Sequence, residues 1–149
     1  RARLTVIDPR LEVELRRRTK TFQDDVDGIE REFKAALMTP PGRKVLTIRP
    51  VWGALCARYG LTLLAPVKGP ESGLSAVDFK ELANVAKAQG VRTLLIDVST
   101  TAAVQQQLAE QTGLKVITLD ALGSSAADGR NTWAKLMRYN LAQLKEALK

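Results

Sequence analysis

Apolar residues before position 41 recur mostly at steps of three or four, which is the spacing of one stripe along an α-helix. Asp8 and Pro9 are typical of a helix start, and Pro40-Pro41-Gly42 ends the pattern. The sequence therefore predicts one long helix of about 29 residues, stabilised by packing of this stripe against the rest of the protein. The stripe comprises Leu11, Leu15, Phe22, Val26, Ile29, Phe33 and Leu37, and we expect its main contacts at Leu15, Phe22, Val26, Ile29 and Phe33.

After position 41, short apolar runs alternate with helical patterns. Strands are predicted at 44–48, 61–67, 91–96 and 114–119, and helices at 50–59, 75–89, 100–112 and from Asn131 or Thr132 to the end. Such alternation is typical of right-handed βαβ crossovers and of a parallel sheet covered on both faces. We therefore predict an α/β fold: a four-stranded parallel sheet flanked by helices on both faces, preceded by a long N-terminal helix. The Ser-, Ala- and Gly-rich stretch 123–129 is predicted to be a mobile loop.

The amino-acid composition excludes several kinds of functional site. The chain of 149 residues has a single cysteine, Cys56, and no histidine. An internal disulfide, a cysteine zinc cage and a Ser-His-Asp triad are thereby excluded. The net charge is +7, but the one dense basic run, 16–20, has no interleaved stacking aromatics, so we interpret it as a solvated helix face and expect no nucleic-acid partner. The chain starts at Arg1 without a signal peptide, which we interpret as a processed or trimmed product.

Polar residues directly after the predicted strands are the candidates for a ligand site, because open α/β sheets bind ligands beyond the carboxyl ends of their strands. The predicted ligand-binding rim comprises Arg49, Glu71, Asp97 and Asp120, with Lys68 beside it. Other roles compete with ligand binding. Asp97 is also placed to cap the next helix, Asp120 to order its own turn, and Arg49 to pair with either aspartate.

Catalytic and nucleotide-binding motifs are missing. The sequence has no G-x-G-x-x-G, no G-x-x-x-x-G-K-[ST] and no G-x-S-x-G. Asp97 and Asp120 form an acid/base pair in principle. Without a nucleophile or a substrate motif they do not indicate an enzyme, so we expect none, and a small enzyme stays the weakest alternative.

Several segments, taken in order over about 140 residues, resemble a known family. They are Ile7-Asp8-Pro9-Arg10 before the long helix, the stretch 41–50 with Arg58-Tyr59-Gly60-Leu61, Leu119 to Gly123, and the closing helix from Trp133 through Asn140 and Leu141. Together they are similar to the C-terminal lobe of zinc/manganese-type solute-binding proteins of bacterial ABC importers. The resemblance implies a linking helix over 1–40 and an α/β lobe over 41–149, with the first lobe absent from this chain.

The resemblance also implies metal ligands that this chain mostly lacks. Arg49 stands where the family has a histidine or carboxylate, and Asp97 where it commonly has glutamate. Only Asp120 remains as an expected metal ligand. We therefore expect no cofactor for this chain alone, and a zinc or manganese ion only if a missing lobe supplies further ligands. The fixed charge of Arg49 repels a cation and instead suits an anion or zwitterion, since a guanidinium binds carboxylates through two hydrogen bonds.

These features predict a lobe of a periplasmic or extracytoplasmic solute-binding protein with a degenerate metal site. Its implied partners are the ABC-transporter membrane permease and a small solute or ion. The alternative is a stand-alone α/β interaction module that docks a protein partner. If the native protein has no first lobe, the stripe near Leu11 and Leu15 is left uncovered and favours a homodimer through the N-terminal helix.

Overall fold

The computed structural model describes residues 8–38, 42–65, 73–123 and 129–149. Within these ranges the chain forms five α-helices and four strands, with short 3-10 helices at Pro9–Leu11 and Pro50–Trp52. No helix in the described ranges is long and apolar enough to cross a membrane. The elements in chain order are α1 (Glu12–Leu37), β1 (Lys44–Thr47), α2 (Gly53–Arg58), β2 (Thr62–Leu64), α3 (Ala76–Gln89), β3 (Thr93–Asp97), α4 (Ala102–Thr112), β4 (Lys115–Leu119) and α5 (Trp133–Ala147).

The four strands form one parallel sheet in the order β2-β1-β3-β4, which confirms the predicted fold class. The chain leaves β1 for the outer strand β2 and then returns across β1 to build β3 and β4. The direction of winding therefore reverses between β1 and β3. At such a switch point the connections after the two strands diverge, and a crevice is left at their carboxyl ends.

The sheet is covered on both faces. On one face, α1, α2 and α5 bury an apolar cluster against β1, β3 and β4; on the other, α3 and α4 bury a second cluster. Strand residues alternate between the clusters, with Val45 and Leu95 in the first and Leu46 and Leu94 in the second. Near-continuous apolar strands are thus explained by helices on both sides.

Local signals set the helix ends near the predicted positions. The Ser75 hydroxyl accepts a hydrogen bond from the backbone N–H of Asp78, and the Asp78 carboxylate accepts one from the backbone N–H of Ser75, a capping box that starts α3. Thr132 caps α5 by accepting from the backbone N–H of Lys135. At the other end of α3, Gly90 adopts the left-handed conformation with φ 68°, which glycine enters without steric cost.

The long helix packs over less of its length than predicted. Ile29, Phe33 and Leu37 are buried against the sheet and α5, as expected for Ile29 and Phe33. The expected contact of Phe22 with the core is wrong: Phe22 is 54% exposed, and its ring lies 5.6 Å from the half-exposed ring of Trp133, measured between centroids. Leu15 and Val26 are half-buried, so the fully buried residues of α1 all lie from Ile29 onward.

The basic run on α1 is a solvated face, as predicted. Arg16, Arg17 and Arg18 are exposed and pair with glutamates one turn earlier along the same helix, and Lys20 pairs with Asp24 one turn later. Exposed pairs of this kind contribute at most about 1 kcal/mol each to stability. They compensate the charges of the run locally, which leaves no concentrated positive patch for a polyanion.

Candidate functional site

A cleft of about 340 Å³ opens at the switch point, between the carboxyl ends of β1 and β3. Thr47, Ile48 and Arg49 line it from the first strand, and Ile96, Asp97 and the turn into α4 line it from the other. Two of the four predicted rim residues, Arg49 and Asp97, therefore lie in one cleft. Its apolar wall consists of Ile48, Trp52, Leu74, Phe79, Ile96 and Val104.

The end of β1 fixes the backbone that carries Arg49. The buried hydroxyl of Thr47 donates to the carbonyl oxygen of Arg49 at 2.9 Å and accepts from its N–H at 3.2 Å. Arg49 is extended (φ −135°, ψ 134°), as expected for a residue that precedes a proline. Its exposed side chain forms no ion pair with any described residue. The predicted pairing of Arg49 with Asp97 or Asp120 is therefore wrong.

Asp97 lies at the carboxyl end of β3, on the opposite side of the cleft. Its Oδ1 accepts a hydrogen bond from the backbone N–H of Ser99 at 2.8 Å, which orders the turn before α4. The alternative that Asp97 caps the next helix is wrong, since the N-cap of α4 is Thr101, and Asp97 instead orders the backbone two residues ahead of itself. Because that bond uses only one carboxylate oxygen, the same side chain keeps an acceptor for a second partner.

Asp120, the one expected metal ligand, lies outside this cleft at the end of β4. Its side chain is only 2% exposed, and Oδ2 lies 2.8 Å from Nε of Arg130, whose side chain is 19% exposed. Oδ1 accepts from the backbone N–H groups of Leu122 at 3.0 Å and Gly123 at 2.8 Å. The turn ordered by Asp120 is thus as predicted, and a guanidinium provides the counter-charge.

Two residues of α5 hold this ion pair in place. The guanidinium carbon of Arg130 lies 4.7 Å from the centroid of the Tyr139 ring, a cation–π arrangement. The buried amide of Asn140 pairs with the backbone of Asp120: its Oδ1 accepts from the N–H at 2.8 Å, and its Nδ2 donates to the carbonyl at 2.7 Å. Asn140 therefore satisfies the backbone of Asp120, and Oδ1 of the carboxylate is bound by two N–H groups, while Oδ2 faces Arg130 as an ion pair without an aligned hydrogen bond.

The structure does not describe every predicted rim residue. Glu71, with Lys68, falls in 66–72, outside the described residues, as does most of the predicted 123–129 loop. Across the described ranges, no three His, Cys, Asp or Glu side chains lie close enough together to hold a metal ion. The arginine that pairs with Asp120 was not identified from sequence, since a lone arginine after a glycine carries no pattern.

Residues 1–147 match the family model of the zinc-uptake complex component A, periplasmic. The chain belongs to this family. It is a family of metal-type ABC solute-binding proteins, which confirms the resemblance inferred from the sequence. The family is one of substrate-binding transport proteins. No curated protein sequence matches the chain.

Solved structures agree on the fold. YcdH, a metal-dependent lipoprotein of Bacillus subtilis, superposes with a TM-score of 0.82 at 20% identity, over 99% of this chain and 57% of its own. The Zn(II)-bound ZnuA-like domain of Streptococcus pneumoniae AdcA superposes with a TM-score of 0.81 at 17% identity, again over 99% of this chain and 57% of its own. The laminin-binding protein Lmb of Streptococcus agalactiae is described as having adhesin and metal-transporting activity. It superposes with a TM-score of 0.75 at 24% identity, over 99% of this chain and 58% of its own. The chain thus spans little more than half the length of these proteins.

Proposed function

We propose that this chain is the C-terminal lobe of a periplasmic or extracytoplasmic solute-binding protein that delivers its solute to an ABC-transporter permease and performs no chemistry. The family match over residues 1–147 supports this role. The fraction of the solved relatives that the chain covers fits one lobe of two. The cleft at the switch point also supports a binding role, since Arg49 and Asp97 line it at the edge of the sheet where open α/β folds bind ligands.

We further propose that this lobe does not hold the metal ion that its family name implies. The observation that carries this proposal is the buried ion pair of Asp120 with Arg130. A guanidinium 2.8 Å from the carboxylate takes the place where a cation would bind, and it cannot be removed by deprotonation. Arg49 adds a second fixed positive charge, at the end of β1. Two unit charges 4 Å apart repel by roughly 4 kcal/mol at an effective dielectric of 20, and a divalent ion feels about twice that.

Calorimetric titration with zinc tests this proposal on the wild-type protein and on Arg49→His. We expect the wild type to bind zinc no better than millimolar, because no set of three ligands is available among the described residues. Arg49→His removes a repulsive charge and adds an imidazole, so we expect a modest gain in affinity. Tight binding of one zinc ion by the unmodified chain would defeat the proposal.

The exposed half of α1 favours a second role, that of an interaction module. Leu11, just before α1, and Phe22 are 45% and 54% exposed and lie on the same face, on a helix whose continuation packs into the core. We propose that a homodimer forms through this surface if no first lobe covers it. Sedimentation velocity over a range of concentrations tests this. A concentration-dependent dimer that Phe22→Glu abolishes supports the module, whereas a monomer at all concentrations contradicts it.

A further inference from the structure

The cleft at the switch point contains two opposite charges that do not neutralise each other. Arg49 and Asp97 both line it, yet no ion pair within 4 Å joins them in the described part of the chain. The guanidinium has five N–H donors and no acceptor, and the carboxylate has an oxygen beyond the one bound to Ser99. A ligand that carries both a negative and a positive group satisfies both side chains at once.

Besides the polar side chains of Thr47, Ser99, Thr100, Thr101 and Gln107, the lining includes apolar side chains that suit an apolar substituent. Of these, Ile48 and Phe79 belong to one core cluster of the sheet and Trp52 belongs to the other. A volume of about 340 Å³ is near the lower end of the range for small-molecule sites, about 300–1,000 Å³. The cleft therefore fits a small molecule with a charged head and a short apolar tail, rather than a peptide or a large cofactor.

From these features we infer that the cleft binds a small zwitterion with an apolar side chain, of the size and chemistry of a free aliphatic amino acid. Arg49 receives the carboxylate through two hydrogen bonds, Asp97 receives the ammonium group, and the wall formed by Trp52 and Phe79 contacts the tail. This inference rests on the proposed solute-binding function and names its substrate class. A simple carboxylate leaves Asp97 without a partner, and an amine or a divalent cation encounters the charge of Arg49.

Tryptophan fluorescence provides a direct test, because Trp52 is part of the cleft wall and the only other tryptophan is Trp133. In a Trp133→Phe background, L-leucine is titrated into the folded chain and the emission of Trp52 is followed. Two matched probes each lack one charge: 4-methylpentanoate has no ammonium group, and 3-methylbutylamine has no carboxylate. We expect saturable binding of leucine at millimolar or lower concentration, and at least about tenfold weaker binding of either probe.

Single-residue variants assign the two charges. Arg49→Gln should weaken leucine binding at least about tenfold. Asp97→Asn keeps an oxygen for the N–H of Ser99, and it should abolish the preference for leucine over 4-methylpentanoate. Arg92→Gln, an exposed arginine just before β3 at the opposite edge of the sheet, is the matched control and should leave binding unchanged. Circular dichroism confirms that each variant is folded.

Three results would overturn the inference: no saturable response to leucine, equal binding of leucine and 4-methylpentanoate by the wild type, or wild-type affinity in Arg49→Gln. None of these is a result about zinc. Tight zinc binding by the wild type defeats the proposed loss of the metal site whatever leucine does. A chain that binds neither zinc nor leucine defeats only the assignment of a zwitterion to this cleft.

Discussion

Replacing Arg130 with glutamine removes the counter-charge of the most buried carboxylate in the described structure. Asp120 is 2% exposed and retains the N–H groups of Leu122 and Gly123 after the change. Breaking a buried ion pair by removing one partner typically destabilises a protein by about 3–5 kcal/mol. Because two backbone donors remain on Asp120, we expect the lower end, about 3 kcal/mol. For a chain of this length, 1 kcal/mol shifts Tm by about 2–4 °C, so Tm should fall by about 6–12 °C.

Thermal and urea unfolding of three variants measures this effect. Arg138→Gln is the control, since it breaks an ion pair with Glu32 in which the side chains are 49% and 41% exposed. It should lower the free energy of unfolding by at most about 1 kcal/mol. The double variant Asp120→Asn/Arg130→Gln should recover part of the loss, because it leaves no uncompensated buried charge. If Arg130→Gln and Arg138→Gln lower Tm by the same amount, the reasoning from burial is refuted.

Other predictions concern the packing, the acid stability and the thiol. Phe33→Ala should lower the free energy of unfolding by about 3–5 kcal/mol and Phe22→Ala by much less, since Phe33 is fully buried and Phe22 is 54% exposed; urea unfolding compares them. The Tyr59 hydroxyl and two basic side chains lower the pKa of Glu30 from 4.5 to about 2. Its contribution to stability is therefore complete above pH 4.5 and is lost as the pH falls towards 2, so Glu30→Gln should show a smaller acid-induced fall in Tm. Burial raises the pKa of Cys56 to about 11, so the native thiol should resist a thiol reagent at neutral pH and react on unfolding; rapid native labelling would contradict this.

Local patterns in the sequence were sufficient to predict the architecture. Each of the four apolar runs contains a strand, and the two central strands β1 and β3 are apolar and buried at nearly every position because helices cover both faces of the sheet. Gly90 and Gly113 end helices where they were expected to, since each adopts a positive φ at the helix terminus. The rule that ligands bind beyond parallel strand ends placed Arg49 and Asp97 at one edge of the sheet, and both line the cleft there.

Tertiary partners were not predictable in the same way. Apart from one gap of seven residues, the apolar stripe of α1 continues on both sides of Ile29, so its periodicity does not reveal that Phe22 is 54% exposed. The partner of Asp120 comes from a loop in which no period constrains side-chain direction. Arg130 contacts both the carboxylate of Asp120 at the end of β4 and the ring of Tyr139 on α5, an arrangement that exists only after α5 has docked on β4.

Zinc titration of the double variant Arg49→His/Arg130→Gln, beside the wild-type protein, tests the central claim most directly. The account holds that two arginines oppose the binding of a cation: Arg49 at the end of β1, and Arg130, which pairs with Asp120. Removing both charges and adding an imidazole should give zinc affinity above that of the wild type and of either single variant. Wild-type affinity no better than millimolar, rising in the double variant, is the predicted result. One equivalent of zinc bound tightly by the wild-type chain would contradict the account.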